Sequence, residues 1–257
     1  MTFVCGGLCA RSSSADRQAK GREELHHDTL RMSKTLARDI AQFLKVNERY
    51  RSWEQLPEKF LGTSSQLPGD AVVEVVLDLW NAGGHRCRWA AVTLLRRHPT
   101  ALRSVRWKPL EEMGNQMGNW GDVDIFASLA GPAWRTGQIS DWRVHRWARS
   151  ENRWWRRAAL VCTVFLNRRS VGGEGDVPRT TAVCELLAAD RDDMVVKGMS
   201  WALRELIPID RESVERFLGQ HDAVLAARVK REVRNKLTTG LKNPRPKRNG
   251  ARGQRST

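Results

Sequence analysis

Apolar residues recur along this chain at intervals of three and four, the period of a helix that buries one face. Leu36, Ile40, Phe43 and Leu44 mark one helix over residues 23–45. Asp70 is placed to cap a second, with Val72, Val73, Val76, Leu77 and Trp80 turned inward and Gly83-Gly84 closing it. A third spans 85–98 and stops before Pro99. The same reading puts helices at 100–106, 108–116, 119–130 (closed by Gly131-Pro132), 140–149, 152–168, 178–189, 192–206, 210–219 and 222–238. The two-residue alternation of a half-buried strand is scarce. The fold class is all-α.

The helices fall in pairs. The second members, RCRWAAVTLLRRH, NRWWRRAALVCTVF, MVVKGMSWALREL and AVLAARVKREVRNKL, share a basic start and an apolar centre. Arg157 and Lys197 take matching places 40 residues apart, close to the period of two-helix repeats. Stacked repeats of this kind build an α-solenoid, here with a basic concave face suited to a duplex.

Composition changes the picture in two places. Lysine and arginine number 44 against 29 acids, a net charge of +15, which bears on partners rather than on fold. Nucleic acid is the leading partner and an anionic membrane surface the second. Six of those cations, Lys242, Arg245, Lys247, Arg248, Arg252 and Arg255, lie in the acid-free stretch 241–257, read as a disordered phosphate-seeking tail. The body keeps about +9 by this subtraction. The other departure is 11 tryptophans against a single tyrosine, Tyr50.

Cys87, Cys162 and Cys184 sit in apolar helical patterns as small core residues. Cys5 and Cys9 have a metal-like spacing but no matching His or Cys pair, so no metal is expected. An odd cysteine count points to a reducing compartment and a cytoplasmic protein, nucleoid-associated when bound to DNA. The opening MTFVCGGLCA lacks the basic start of a signal peptide, and residues 1–21 read as an unstructured extension. The longest uncharged runs, such as 158–167, are too short to span a membrane.

The informative residues break their own helical pattern. In 192–206, Val195, Met199, Ala202 and Leu206 form the core stripe, while Trp201 falls with Lys197, Arg204 and Glu205. In 119–130, Val123, Phe126, Ala127 and Ala130 face the core, and Trp120 and Asp124 share a neighbouring stripe. The helix dipole accounts for Asp122 in the first turn but not for Asp124, which lies deeper. Taken alone, Asp124 suits a structural ion pair as well as catalysis, and Trp201 an inter-repeat seam as well as a ligand-facing surface. Arg153, Arg156 and Arg157 open a helix whose positive end they oppose; the cluster suits ordinary solvated arginines as well as a bound phosphate that relieves the conflict, and Arg157, directly before an apolar run, favours the phosphate.

These residues together resemble the AlkD-type DNA alkylation repair family, the HEAT-like-repeat DNA glycosylases. The likeness runs through NWGDVDIFA (119–127), Gly131, WARSENRWWRRAALV (147–161) and KGMSWALREL (197–206), covering about residues 70–238 in order. It implies one HEAT-like-repeat glycosylase domain over 22–240. It makes Asp124 the catalytic carboxylate, and Trp120 and Trp201 the walls against the lesion nucleotide's sugar and backbone. Arg157 becomes a phosphate ligand with Arg204 near it, joined by Lys197, Arg153 and Arg156. The implied reaction excises cationic alkylpurines, such as 3-alkyladenine, 7-alkylguanine or bulkier adducts, from double-stranded DNA without base flipping. A monomer acting on DNA, with no cofactor, metal or membrane, is the expected form. One departure concerns the tyrosine that the family brings to its cleft: Tyr50 lies in a poorly matching region. A non-catalytic DNA-binding member of the fold and a helical scaffold for acidic proteins are the alternatives.

Overall fold

A computed structural model describes residues 14–48 and 56–244. Cys5, Cys9, Tyr50 and the tail after Pro244 lie outside the described residues. These form thirteen α-helices and no strand, so the chain is all-α. Its packing divides into two compact units, before and after the Ser104–Val105 junction, a division that helical periodicity does not announce.

The first unit holds α1 (Ser14–Val46), α2 (Glu58–Ser65), α3 (Gly69–Asn81), α4 (Gly84–Arg97) and the single turn α5 (Ala101–Ser104). Here α3 packs on both α1 and α4, around wholly buried Ile40, Val72, Val76, Leu79, Trp80 and Leu95. Three features differ from expectation. Helix α1 starts at Ser14, not near 23; Gln18, Ala19, Lys20, Arg22 and Glu23 are exposed and extend it by propensity without an apolar stripe. Helix α2, rich in Gly, Thr and Ser, has no expected counterpart; Phe60 and Ser64 are its buried residues. Asp70 lies inside the first turn of α3 rather than at its cap, which is Pro68.

The second unit holds α6 (Trp107–Gly114), α7 (Trp120–Arg135), α8 (Asp141–Ala148), α9 (Arg153–Asn167), α10 (Val177–Leu186), α11 (Asp193–Leu206), α12 (Arg211–Gln220) and α13 (Ala227–Thr239). The second member of each pair stacks on the next: α7 on α9, α9 on α11, α11 on α13. Phe126, Leu129, Leu160, Val161, Leu203 and Val233 fill these interfaces with no exposed surface.

Helix α7 does not end at Gly131-Pro132 but runs through it to Arg135. Proline inside a helix costs about 3 kcal/mol. The cost is offset because Ala133 and Trp134, the two residues that follow, are fully buried. Trp134 also donates its indole N–H to Asp141 Oδ1 at 2.7 Å. Gly131 permits the approach of α9: a Cβ there would lie 2.6 Å from Phe165 Cβ and 2.9 Å from the Cys162 carbonyl oxygen. Cys162 and Cys184 are wholly buried, which pushes their thiols upward, while Cys87 is half-buried. No helix among the described residues is long and apolar enough to cross a membrane.

Candidate functional site

The start of α7 is fixed by a reciprocal cap. Asn119 Oδ1 accepts the backbone N–H of Asp122 at 3.1 Å, and Asp122 Oδ2 accepts from Asn119 Nδ2 at 2.9 Å and Gly118 N at 3.0 Å. Asp122 is thus structural, and Trp120 follows the cap with 61% of its surface exposed. One turn on from Trp120, Asp124 turns toward α9.

There it meets Arg157, which is only 5% exposed. Arg157 Nη2 donates to Asp124 Oδ1 at 2.9 Å, and Nη1 donates to the Met194 carbonyl at 2.9 Å. Its Nε is buried without a partner. The guanidinium spans α7, α9 and the first turn of α11, and a Cβ at Gly198 would lie 3.6 Å from Arg157 Cγ. Burial raises the Asp124 carboxyl above its ordinary value, and the attraction and hydrogen bond of Arg157 offset only part of that rise.

Helix α11 supplies the other wall. Trp201 is half-buried and donates its indole N–H to Glu205 Oε1 at 3.1 Å. Glu205 also receives Arg168 Nη2 at 2.5 Å, and the Arg168 guanidinium lies 5.3 Å from the Trp201 ring centre. Arg204 donates Nε to Ser200 Oγ at 3.3 Å, and Ser200 donates to the buried Glu232 at 2.6 Å. Burial lowers Arg204, with Glu232 and Glu205 opposing that shift. Lys197 pairs with Asp193 at 2.6 Å.

Trp120, Asp124, Arg157, Lys197, Trp201 and Arg204 line one open cavity of about 510 Å³. Arg168, Glu205 and Lys242 join them there. Sequence reasoning does not single out Arg168, the last residue of the helix expected over 152–168, which in the structure lies just past the end of α9. Lys242, which the sequence places in the basic tail, is instead tied to α13: its backbone carbonyl accepts from Asn235 at 3.1 Å, and its ammonium lies 3.4 Å from Glu232. A buried carboxylate on α13 was the available signal.

Arg153 and Arg156 are not brought to this cavity. Arg153 pairs with Asp192 at 3.3 Å and Arg156 with Asp190 at 2.7 Å, both in the turn before α11. The carboxylates that relieve these cations at the helix start come from the chain itself. Arg157 likewise presents its head to Asp124 rather than to solvent.

Among the described residues no cluster of His, Cys, Asp or Glu could hold a metal ion. The cavity instead sets one carboxylate beside two indole faces and several cations. Such a set stabilises positive charge at its centre and attracts anions at its rim. No curated protein and no solved structure matches the chain. Residues 32–237 match the model of a family described as DNA alkylation repair enzyme. Except for Lys242, the residues that line the Asp124 cavity lie within the matched segment, and the chain belongs to the DNA alkylation repair enzyme family.

Proposed function

We propose that this enzyme is a monofunctional DNA glycosylase that hydrolyses the N-glycosidic bond of cationic alkylated purines in duplex DNA. One observation carries the reading: Asp124, anchored by the buried Arg157, shares an open cavity with Trp120 and Trp201. N-alkylation makes the purine cationic and a good leaving group, so little acid catalysis is needed. The C1′–N bond breaks with its electron pair leaving on the base, and positive charge develops on the deoxyribose. Asp124 stabilises that charge and takes a proton from the water that adds to C1′. The indole faces of Trp120 and Trp201 support the same cation.

Arg157 acts as the residue that orients Asp124, and its charge offsets the repulsion between a carboxylate and phosphate. Lys197 and Arg204 take the DNA backbone, with Arg153 and Arg156 flanking at the start of α9. An open cavity accepts the lesion without swinging the base into an enclosed pocket, and this extends the substrate range to bulky adducts. No metal or nucleotide cofactor takes part in this scheme, and a monomer suffices because all these residues come from one chain.

A second reading is supported by the same ion pair: Asp124 and Arg157 as a structural bridge in a DNA-binding protein without excision. Incubation with duplexes carrying 7-methylguanine or a bulky adduct, followed by alkali to cut abasic sites, separates the two. Lesion-dependent cleavage that is lost in Asp124→Asn is expected. Cleavage by neither protein on any lesion leaves the second reading, and cleavage undiminished in Asp124→Asn removes Asp124 from catalysis.

A further inference from the structure

A second cavity, of about 530 Å³, lies between α6, α8 and the start of α9, and shares no residue with the Asp124 cavity. Its volume falls in the range of small-ligand sites. Trp142, Trp147 and Trp155 form its aromatic walls, with Arg146, Arg149 and Glu111 around them. The inner wall is rigid. Trp147 and Trp155 have ring centres 5.0 Å apart and both pack edgewise on Phe126. Trp155 lies so close over Gly114 that a Cβ there would come within 2.0 Å of the indole ring.

Three features of this cavity lack an internal explanation. Trp142 is 62% exposed, as much as Trp120, although an indole is among the largest apolar surfaces a protein can bury. Guanidiniums of Arg143 and Arg146 approach its ring at 5.7 and 5.8 Å. Arg143 is committed to Glu111 at 3.0 Å and stacks on Trp107. Arg146 and Arg149, by contrast, are exposed, and neither pairs with a carboxylate among the described residues. The indole N–H of Trp147, in the inner wall, is buried with no acceptor.

An exposed ring beside two cations that have no carboxylate partner among the described residues fits a ligand that is flat and aromatic at one end and anionic at the other. We propose that this cavity receives one unpaired nucleotide of a DNA strand, its base stacked on Trp142 and its phosphate taken by Arg146 and Arg149. Base–aromatic stacking is tolerant of sequence, as suits an enzyme that must work at any position in a genome. The site does not depend on excision at Asp124, because it is read by binding to undamaged DNA.

The test is fluorescence anisotropy of the full chain with two lesion-free duplexes, one fully paired and one carrying a single-nucleotide bulge. Wild type is expected to bind the bulged duplex roughly tenfold more tightly, the effect of one stacked base. Trp142→Ala should abolish that preference and leave paired-duplex affinity within about twofold, since stacking requires an exposed unpaired base. Trp142→Phe should restore most of it. The proposal is overturned by equal binding of both duplexes in wild type. It is equally overturned by a preference that survives in Trp142→Ala, or by a matching loss on both duplexes. Saturation by a free deoxynucleoside monophosphate without any bulge preference would also overturn it, assigning the cavity to free nucleotides.

Discussion

Asp124 Oδ1 accepts a 2.9 Å hydrogen bond from Nη2 of Arg157, which sits 33 residues later on the neighbouring helix. The carboxylate is about one quarter exposed and the guanidinium almost wholly buried, so the pair is anchored on one side and open to the cavity on the other. A charge held in this way needs no reorganisation when positive charge appears beside it.

Asp124→Asn keeps an acceptor oxygen for Arg157 and removes only the charge. Single-turnover excision of 7-methylguanine is expected to fall by about 10²–10³-fold, the usual effect of deleting one preorganised electrostatic partner. Affinity for unmodified duplex should hold or tighten, because a negative charge facing phosphate is gone. A matching drop in affinity would point to misfolding instead, which thermal unfolding detects.

The pH profile follows from the direction in which Asp124 is shifted. Burial raises its carboxyl above the ordinary value despite Arg157, and the proposed role requires the ionised form. Activity is therefore expected to fall, as pH decreases, at a higher pH than an ordinary aspartate would set. Arg157→Met removes both influences that lower the carboxyl, so the acid limb of kcat/KM should move to still higher pH. The stability sign is opposite to that of a salt-bridged surface acid: a raised folded-state value favours the fold below it, and that contribution is lost as pH rises through it. Arg157→Met should also destabilise by about 3–5 kcal/mol, the cost of leaving one partner of a buried pair alone. Chemical denaturation at two pH values measures both effects.

Legibility in the sequence followed burial. The second helices of each pair announce themselves because one face is wholly apolar, as in Leu160, Val161 and Val164 of α9. Trp120, Asp124 and Trp201 were legible as exceptions to such faces. What periodicity cannot carry is the partner of a charge. Arg153, Arg156 and Arg157 form one basic run, yet each is neutralised by a different aspartate: Asp192, Asp190 and Asp124. Those pairings span more than 30 residues and depend on how α9 meets its neighbours. Lys242 was hidden for the same reason, since its placement depends on Glu232 two turns back in a helix that reads as mostly basic.

Glu205 offers a test of how Trp201 is held. Its Oε1 receives both the Trp201 indole N–H and Arg168, and this pairing, together with Arg204, holds its carboxyl below the usual range against the effect of burial. Glu205→Gln should lower single-turnover excision by about five- to tenfold, within what one hydrogen bond to a charged group supplies. Affinity for paired duplex should change far less. In a double-mutant cycle, Glu205→Gln should add little to the loss from Trp201→Phe, because both act on one ring. Additive losses would separate Glu205 from Trp201.

The continuity of α7 through Gly131-Pro132 makes a prediction that no surface reading would. Gly131 follows Asp124 by seven residues, two helical turns, and so faces α9 as Asp124 does. A methyl group at Gly131 would meet Phe165 Cβ at 2.6 Å and the Cys162 carbonyl oxygen at 2.9 Å, neither of them the far end of a flexible chain. Gly131→Ala should cost about 1–3 kcal/mol by overpacking. For a chain of this size that lowers Tm by about 2–4 °C per kcal/mol. Pushing α9 away also loosens the Asp124–Arg157 contact, so excision should fall even at temperatures where the protein is fully folded. Gly219 in α12 is the control, with nothing within 4 Å of its missing Cβ. Gly219→Ala should leave Tm unchanged or raise it slightly, because only the freedom of the unfolded chain is reduced. A Gly131→Ala protein with unaltered Tm and activity would mean that α7 and α9 do not meet as closely as the Asp124 site requires.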